Sequence, residues 1–107
     1  MELSDVQKAQ TAYDDLYWQH ESGPETICHS ERHIGKLLGK LATIAEVYDH
    51  GHAPDLTVLD DEIIPDLLIF AARLANDRGI SLDDAFATRT EALTARFASA
   101  KKNSDSE

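Results

Sequence analysis

The segment from Glu62 to Asn76 constrains the fold more than any other part of the chain, because it is apolar around most of its helical circumference. Apolar residues at three-to-four spacing form one face, and adjacent positions widen it: Leu59, Ile63, Leu67, Phe70, Ala71 and Leu74 are joined by Leu68, Ile69, Ala72 and Ala75. A helix with so wide an apolar face is buried nearly all round, as at the centre of a bundle. Pro65 fits without damage only in a first turn, so the helix begins near Glu62 to Ile64 or bends at the proline.

Three further stretches have the apolar spacing of helices, whereas strand signals are almost absent. The first predicted helix starts near Ser4, as an N-cap, and ends before Ser22, and the second spans about residues 25–48. The last begins at Ser81, where Asp84 completes a near capping box. Only a tight turn at Gly79 separates it from the third helix, so these two are predicted to pair antiparallel. The predicted inward face of the last helix comprises Leu82, Ala85, Phe86, Leu93 and Phe97.

This pattern predicts an all-α fold, a four-helix bundle formed by a single domain of residues 1–98. A polar tail of residues 99–107 follows, and we expect it to fray. An isolated chain cannot easily bury the third helix on all sides. We therefore expect the core to be completed by a second copy, in a homodimer or higher homo-oligomer.

The chain is strongly acidic, with 20 acidic and 10 basic residues and a formal net charge of -10. Such a charge argues against a nucleic-acid backbone or an anionic membrane as partner. No apolar run approaches the length of a transmembrane helix, and the first residues lack the basic and apolar regions of a secretory signal. The single cysteine, Cys28, cannot form an internal disulfide. These features together predict a cytoplasmic protein.

Acidic and polar residues recur on one side of the third helix. Glu62 and Asp66 are four positions apart and so share a face, and Asn76, ten residues beyond Asp66, returns to within about 80° of its angular position after nearly three turns. Oxygen ligands placed in this way could hold a cation between helices. The alternative is that the acidic residues only stabilise a helix N-terminus through its macrodipole.

Three parts of the sequence resemble the MazG-like all-α nucleotide pyrophosphohydrolases: the segment from Pro65 to Asn76, the following Arg78–Ala85, and the stretch from Arg89 to Phe97. The resemblance spans roughly residues 5 to 97 and is specific from Glu62 onward. It implies a helical oligomer that cleaves nucleoside triphosphates to monophosphate and pyrophosphate. It also implies Mg²⁺ held by a Glu-x-x-Glu motif on one helix and a Glu-x-x-Asp motif on the next.

The resemblance is partial at the metal-binding positions. Asp66 falls on the aspartate of the second motif and Asn76 on a later polar ligand, but Ile63 occupies the glutamate position, with Glu62 one place earlier. In the first motif, Leu37 and Lys40 stand where the two glutamates belong. An ammonium group repels Mg²⁺ rather than binding it. The resemblance thus implies catalytic and metal-binding roles for Glu62 and Asp66, and a metal-binding role for Asn76, on one helix alone.

Five basic or titratable residues are candidates for contacting a nucleotide. Lys36 and Lys40 could either replace the missing metal charge at a phosphate or form salt bridges across the helices. His33 lies one turn before Lys36 and could line the same pocket, or could be an ordinary half-buried histidine. The resemblance places Arg89 and Arg96 where basic residues neutralise a triphosphate, and surface ion pairs are the alternative.

Two functions from different classes follow from these patterns. In the first, the chain binds or hydrolyses a nucleoside triphosphate or related nucleotide at a modified site between the second and third helices, with a reduced Mg²⁺ complement. In the second, it is a non-catalytic helical oligomer that senses a nucleotide or binds a protein, with the lysines closing the former metal site. The chemistry of the donor set favours the second function, and the family resemblance favours the first.

Overall fold

The computed structural model describes residues 1–18 and 23–105, with side chains as far as Lys101. This part of the chain contains no strand, and it forms helices α1 (Leu3–Tyr17), α2 (Pro24–Asp49), α3 (Ile64–Arg78) and α4 (Leu82–Asp105). One π-helical turn, Leu59–Ile63, runs directly into α3. The all-α prediction is therefore confirmed. Among the described helices, none is both long enough and apolar enough to cross a bilayer.

The start of α1 differs from the prediction, because the N-cap is Glu2 and not Ser4. The Glu2 backbone N–H donates to the Asp5 carboxylate at 2.8 Å, as one half of a capping box. Ser4 lies inside the helix, and its backbone N–H donates to a carboxylate oxygen of Asp83 at 3.1 Å. The first turn of α1 is thereby fixed to the first turn of α4.

Helix α3 continues directly from the π-helical turn. Pro65 lies in the first turn of α3, so its missing N–H falls where the hydrogen-bond pattern changes from π to α. The helix ends at Gly79, whose left-handed backbone (φ 66°) lets the Ile80 N–H donate to the Ala75 carbonyl at 2.9 Å. After this turn, the Asp84 N–H donates to the Ser81 hydroxyl at 3.3 Å, which is one half of the predicted capping box.

The hydrophobic core lies between α2 and α3 and includes the π-helical turn. Its buried members are Leu37, Ile63 and Phe70. Three half-buried apolar side chains pack around them: Ile34, Ile44 and Leu59. This core is small for a chain of 107 residues, and much apolar surface lies outside it.

Two packing predictions are wrong for the single chain. Helix α3 is not buried all round, because Ile64, Leu67 and Leu68 are exposed. Helix α4 packs against α1 instead of pairing with α3, and its Phe86 and Phe97 are 64% and 68% exposed. The backbone also remains helical from residue 99 to Asp105, where the sequence predicts a frayed tail; residues 106 and 107 of that tail, like residues 19–22 after α1, lie outside the described residues.

The direction of α4 has a specific cause at the turn before it. The Gln7 side chain donates to the Ile80 carbonyl at 2.8 Å and accepts the Leu82 N–H at 2.8 Å. Together with the bond from Ser4 to Asp83, these contacts hold the start of α4 beside α1. The helix then extends away from α3 and gives the chain dimensions of 57 × 38 × 29 Å.

Candidate functional site

The predicted site between α2 and α3 has an apolar centre. Leu37 and Ile63, which occupy two of the positions where the resembled family holds metal-binding glutamates, are both buried members of the same core cluster. A carboxylate at either position would lose its hydration without gaining a charged partner from this cluster. The centre of the site therefore contributes packing and no oxygen ligand.

Lys40 and Glu62 lie beside this apolar centre and contact each other. The Lys40 Nζ is 3.6 Å from a carboxylate oxygen of Glu62, and the two side chains are 49% and 52% exposed. This is a cross-helix salt bridge of the kind predicted for the lysines. Because the pair is half-exposed, it contributes no more than about 1 kcal/mol to stability. Its main effect is that the Lys40 ammonium neutralises the Glu62 carboxylate, which is one of the predicted metal ligands.

Asn76 faces α1 and not the α2–α3 interface. Its amide nitrogen donates to the Gln7 carbonyl at 3.1 Å and to the Thr11 hydroxyl at 3.0 Å, and its amide oxygen accepts from the Gln7 side chain at 3.1 Å. The structure thus gives Glu62 and Asn76 separate partners, while Asp66 stays half-buried on α3. Within residues 1–18 and 23–105, no three His, Cys, Asp or Glu side chains converge as metal ligands. In this arrangement Glu62, Asp66 and Asn76 do not form a ligand set that fits Mg²⁺. Mg²⁺ binding by these residues remains a prediction from the sequence.

His33 connects the predicted residues to a group of rings. Its imidazole stacks on Phe70 with 5.2 Å between centroids and lies 4.5 Å from the ring of His29. Burial is the largest cause that lowers the pKa of His33, and the positive charges of His29, Lys36 and Arg73 lower it further. The Asp66 carboxylate acts in the opposite direction. Imidazole, ammonium and carboxylate therefore influence one another at this end of the interface.

The lowered pKa of His33 predicts a pH-dependent stability. The unfolded chain binds a proton at His33 near pH 6.5, at a higher pH than the folded chain does. The contribution of neutral His33 to the free energy of unfolding is therefore complete above about pH 6.5 and is lost as the pH falls below it. Urea unfolding at pH 7.5, 6.5 and 5.5 measures this loss. We expect His33→Asn to flatten the dependence and the exposed control His52→Asn to leave it unchanged; equal slopes for both variants would contradict the assignment.

Arg73 is a nearly buried charged residue with an ion pair and two ring contacts, and the sequence analysis does not identify it. Its Nε donates to a carboxylate oxygen of Asp14 at 3.0 Å, and both side chains are nearly buried, at 12% and 15% exposed. The guanidinium lies 4.2 Å from the centroid of the Trp18 ring and 5.4 Å from that of Phe70. The Trp18 ring also meets His29 edge to face at 4.7 Å. This ring and guanidinium cluster connects α1, α2 and α3.

A signal for Arg73 was present in the sequence. It is the lone charged residue between Asp66 and Asp77, in the middle of an apolar helix. A charge in such a position needs a buried partner. The sequence could not name Asp14 as that partner, because the two are 59 positions apart and the choice depends on how α1 packs.

A cavity of about 180 Å³ adjoins the Arg73 cluster between the first three helices. It is lined in part by Asp14, Asp77 and Arg73. Asp14 is held by Arg73, and both carboxylate oxygens of Asp77 accept the Gly23 backbone N–H at 3.1 Å. These two carboxylates therefore hold the helices together.

The two remaining candidates lie on α4. Arg89 and Arg96 are both exposed, and α4 packs against α1. The structure thus brings Lys40 to Glu62, and His33 to the Phe70 ring one turn beyond Asp66, but leaves Asn76, Arg89 and Arg96 elsewhere. The chain matches no protein-family model, no curated protein and no solved structure.

Proposed function

We propose that this chain is a non-catalytic helical module that acts by association, and that it forms a homodimer or higher homo-oligomer. The observation that carries this proposal is its large exposed apolar surface. The exposed apolar residues occur on every helix and include Leu16, Leu38, Leu68 and Phe97. Exposed apolar area on this scale is typical of interaction surfaces.

The amount of surface supports association in particular. The accessible surface of the chain is 8151 Å², whereas a folded monomer of 11.8 kDa exposes about 5,900 Å². The radius of gyration is 17.8 Å, compared with about 13 Å for a compact domain of this length. The excess of about 2,200 Å² per chain, or about 4,400 Å² for two chains, is in the range that obligate homodimers bury in total.

The α2–α3 interface supports the non-catalytic part of the proposal. Metal-assisted attack on a phosphorus needs carboxylates from both helices to hold the ions against substrate oxygens. Here Leu37 and Ile63 fill the centre of the interface, and Lys40 is paired with Glu62. This arrangement stabilises the contact between α2 and α3 through packing and a surface ion pair.

We expect the purified chain to be an oligomer at micromolar concentrations. Light scattering after size-exclusion chromatography should give twice the 11.8 kDa chain mass, or a higher multiple, at about 50 µM. Dilution should shift the distribution toward single chains. A mass of one chain at every concentration tested would overturn the proposal.

Nucleotide binding or hydrolysis is the second candidate function, and the surroundings of His33 favour it. Lys36 lies one turn beyond His33 on α2, and Asp66 lies one turn before Phe70, the ring on which His33 stacks, so the three groups lie in one region of the α2–α3 interface. A cationic group next to an imidazole can bind phosphate oxygens. A phosphate that binds to these groups does not need to displace Leu37 or Ile63 from the core.

An assay of pyrophosphate release separates the two candidates. The chain is incubated with Mg²⁺ or Mn²⁺ and a panel of nucleoside triphosphates, with Asp66→Asn as the variant and the exposed Asp61→Asn as the matched control. The non-catalytic proposal expects no release that depends on Asp66. Release that Asp66→Asn abolishes and Asp61→Asn preserves would establish hydrolysis and contradict it.

A further inference from the structure

Helix α4 lacks packing within its own chain over most of its length. It has 24 residues and is therefore about 36 Å long, but its contacts with α1 lie at its start, where Leu82 and Asp83 are held. From Asp84 to Lys101, every described side chain except the half-buried Leu93 is exposed. A helix in water derives most of its stability from packing an apolar face. Most of α4 therefore requires a covering surface from outside its own chain.

The apolar residues of α4 lie on one face. Phe86, Leu93 and Phe97 are seven and four positions apart, which places them within about 40° of one another around the helix. Phe86 and Phe97 are among the most exposed large apolar side chains of the chain. We refer to these three residues as the α4 stripe.

Helix α3 has an exposed apolar face that burial against another helix would stabilise. Ile64, Leu67 and Leu68 are all exposed, although they lie on the helix whose sequence predicts burial all round. We refer to these three residues as the α3 face. The α4 of the same chain is directed away from this face by its contacts with Gln7 and Ser4.

Charge also favours a second copy as the partner of α4. Residues 85–101 contain three basic residues and one acidic residue, in a chain whose net charge is -10. The α3 face follows an acidic run of Asp60, Asp61 and Glu62, all exposed. This basic segment of α4 from one copy is therefore attracted to the acidic start of α3 in another.

We infer that two copies exchange their last helices, so that the α4 stripe of each copy packs on the α3 face of the other. This inference rests on the proposed self-association and names the surfaces that carry it. The antiparallel pairing of the third and fourth helices, predicted from the tight turn between them, then forms between two chains. The arrangement is reciprocal, as a two-fold symmetric dimer requires. The excess surface of each chain supplies the area for both contacts.

The test compares three substitutions in the full chain by light scattering and sedimentation. Phe97→Asp disrupts the α4 stripe, Leu68→Asp disrupts the α3 face, and Leu16→Asp is the control, an apolar residue on α1 that is more exposed than either. We expect the first two to raise the dimer dissociation constant at least about 30-fold and the control to leave it unchanged. Circular dichroism verifies that the helices of α1–α3 remain folded.

A mixing experiment identifies the exchange itself. Phe97→Asp chains keep an intact α3 face and Leu68→Asp chains keep an intact α4 stripe, so an equimolar mixture can form one undamaged contact. We expect the mixture to form dimers at concentrations where neither variant does alone. If the unsubstituted chain is a dimer but Phe97→Asp dimerises as well as Leu16→Asp does, or the mixture gains nothing, the exchange is overturned while self-association stands. A monomeric unsubstituted chain overturns both.

Discussion

Replacing Ile63 with alanine should lower the free energy of unfolding by roughly 2 to 5 kcal/mol. Ile63 is 1% exposed and packs in the cluster with Leu37 and Phe70. The substitution removes three carbon atoms from the centre of the α2–α3 interface. The surrounding helices relax only partly, so a cavity adds to the lost transfer free energy. Urea unfolding followed by circular dichroism measures the change.

The adjacent residue provides a matched control. Ile64 has the same side chain but is 55% exposed in the single chain. We expect Ile64→Ala to change the free energy of unfolding by about 0.5 kcal/mol, measured at a concentration where both variants are single chains, because Ile64 belongs to the proposed interface. Equal losses at both positions would contradict the placement of Ile63 in the core and of Ile64 on the surface.

The second large effect is expected at Arg73. Arg73→Met should lower the free energy of unfolding by roughly 2 to 4 kcal/mol, because it leaves the nearly buried Asp14 carboxylate without its charged partner. The loss is below that for a fully buried pair, since both groups keep some contact with water. The contact of the guanidinium with the Trp18 ring is lost as well. Thermal and urea unfolding at neutral pH measure both contributions together.

Two further variants separate the ion pair from the packing. Arg89→Met makes the same chemical change at an exposed site on α4 and should cost less than about 0.5 kcal/mol. Asp14→Ala combined with Arg73→Met should cost less than the sum of the single losses, because the double variant leaves no buried charge unpaired. Strictly additive losses would show that Arg73 and Asp14 do not act as a pair.

The helices could be predicted from the sequence because their signals are local. Pro65 in a first turn, Gly79 at a helix end and Ser81 as a cap each act within a few residues. The N-cap of α1 was misassigned to Ser4 because Glu2 and Asp5 form an equally local capping box. The apolar spacing also predicts Ile63 and Phe70 as core residues, whereas Leu67 of the same pattern is exposed.

The packing could not be predicted in the same way, because it depends on residues far apart along the chain. The apolar face of α3 was correctly identified, but the sequence cannot specify whether its own chain covers that face. The candidate site illustrates a second limit. Spacing placed Glu62, Asp66 and Asn76 on related faces of one helix, whereas α1 engages Asn76 and α2 engages Glu62. The neighbouring helices determine what each polar residue does.

The hydrogen bonds of Gln7 have a consequence for how the chain can be divided. One amide group bonds both Ile80 and Leu82, more than 70 positions further along the sequence, and so fixes the angle between α3 and α4. A fragment that contains only α3 and α4 has the turn but lacks the group that sets its direction. In such a fragment the two helices are free to fold back on each other as a simple hairpin. The N-terminal helix thus decides whether the C-terminal helix closes on its own chain or remains available to another.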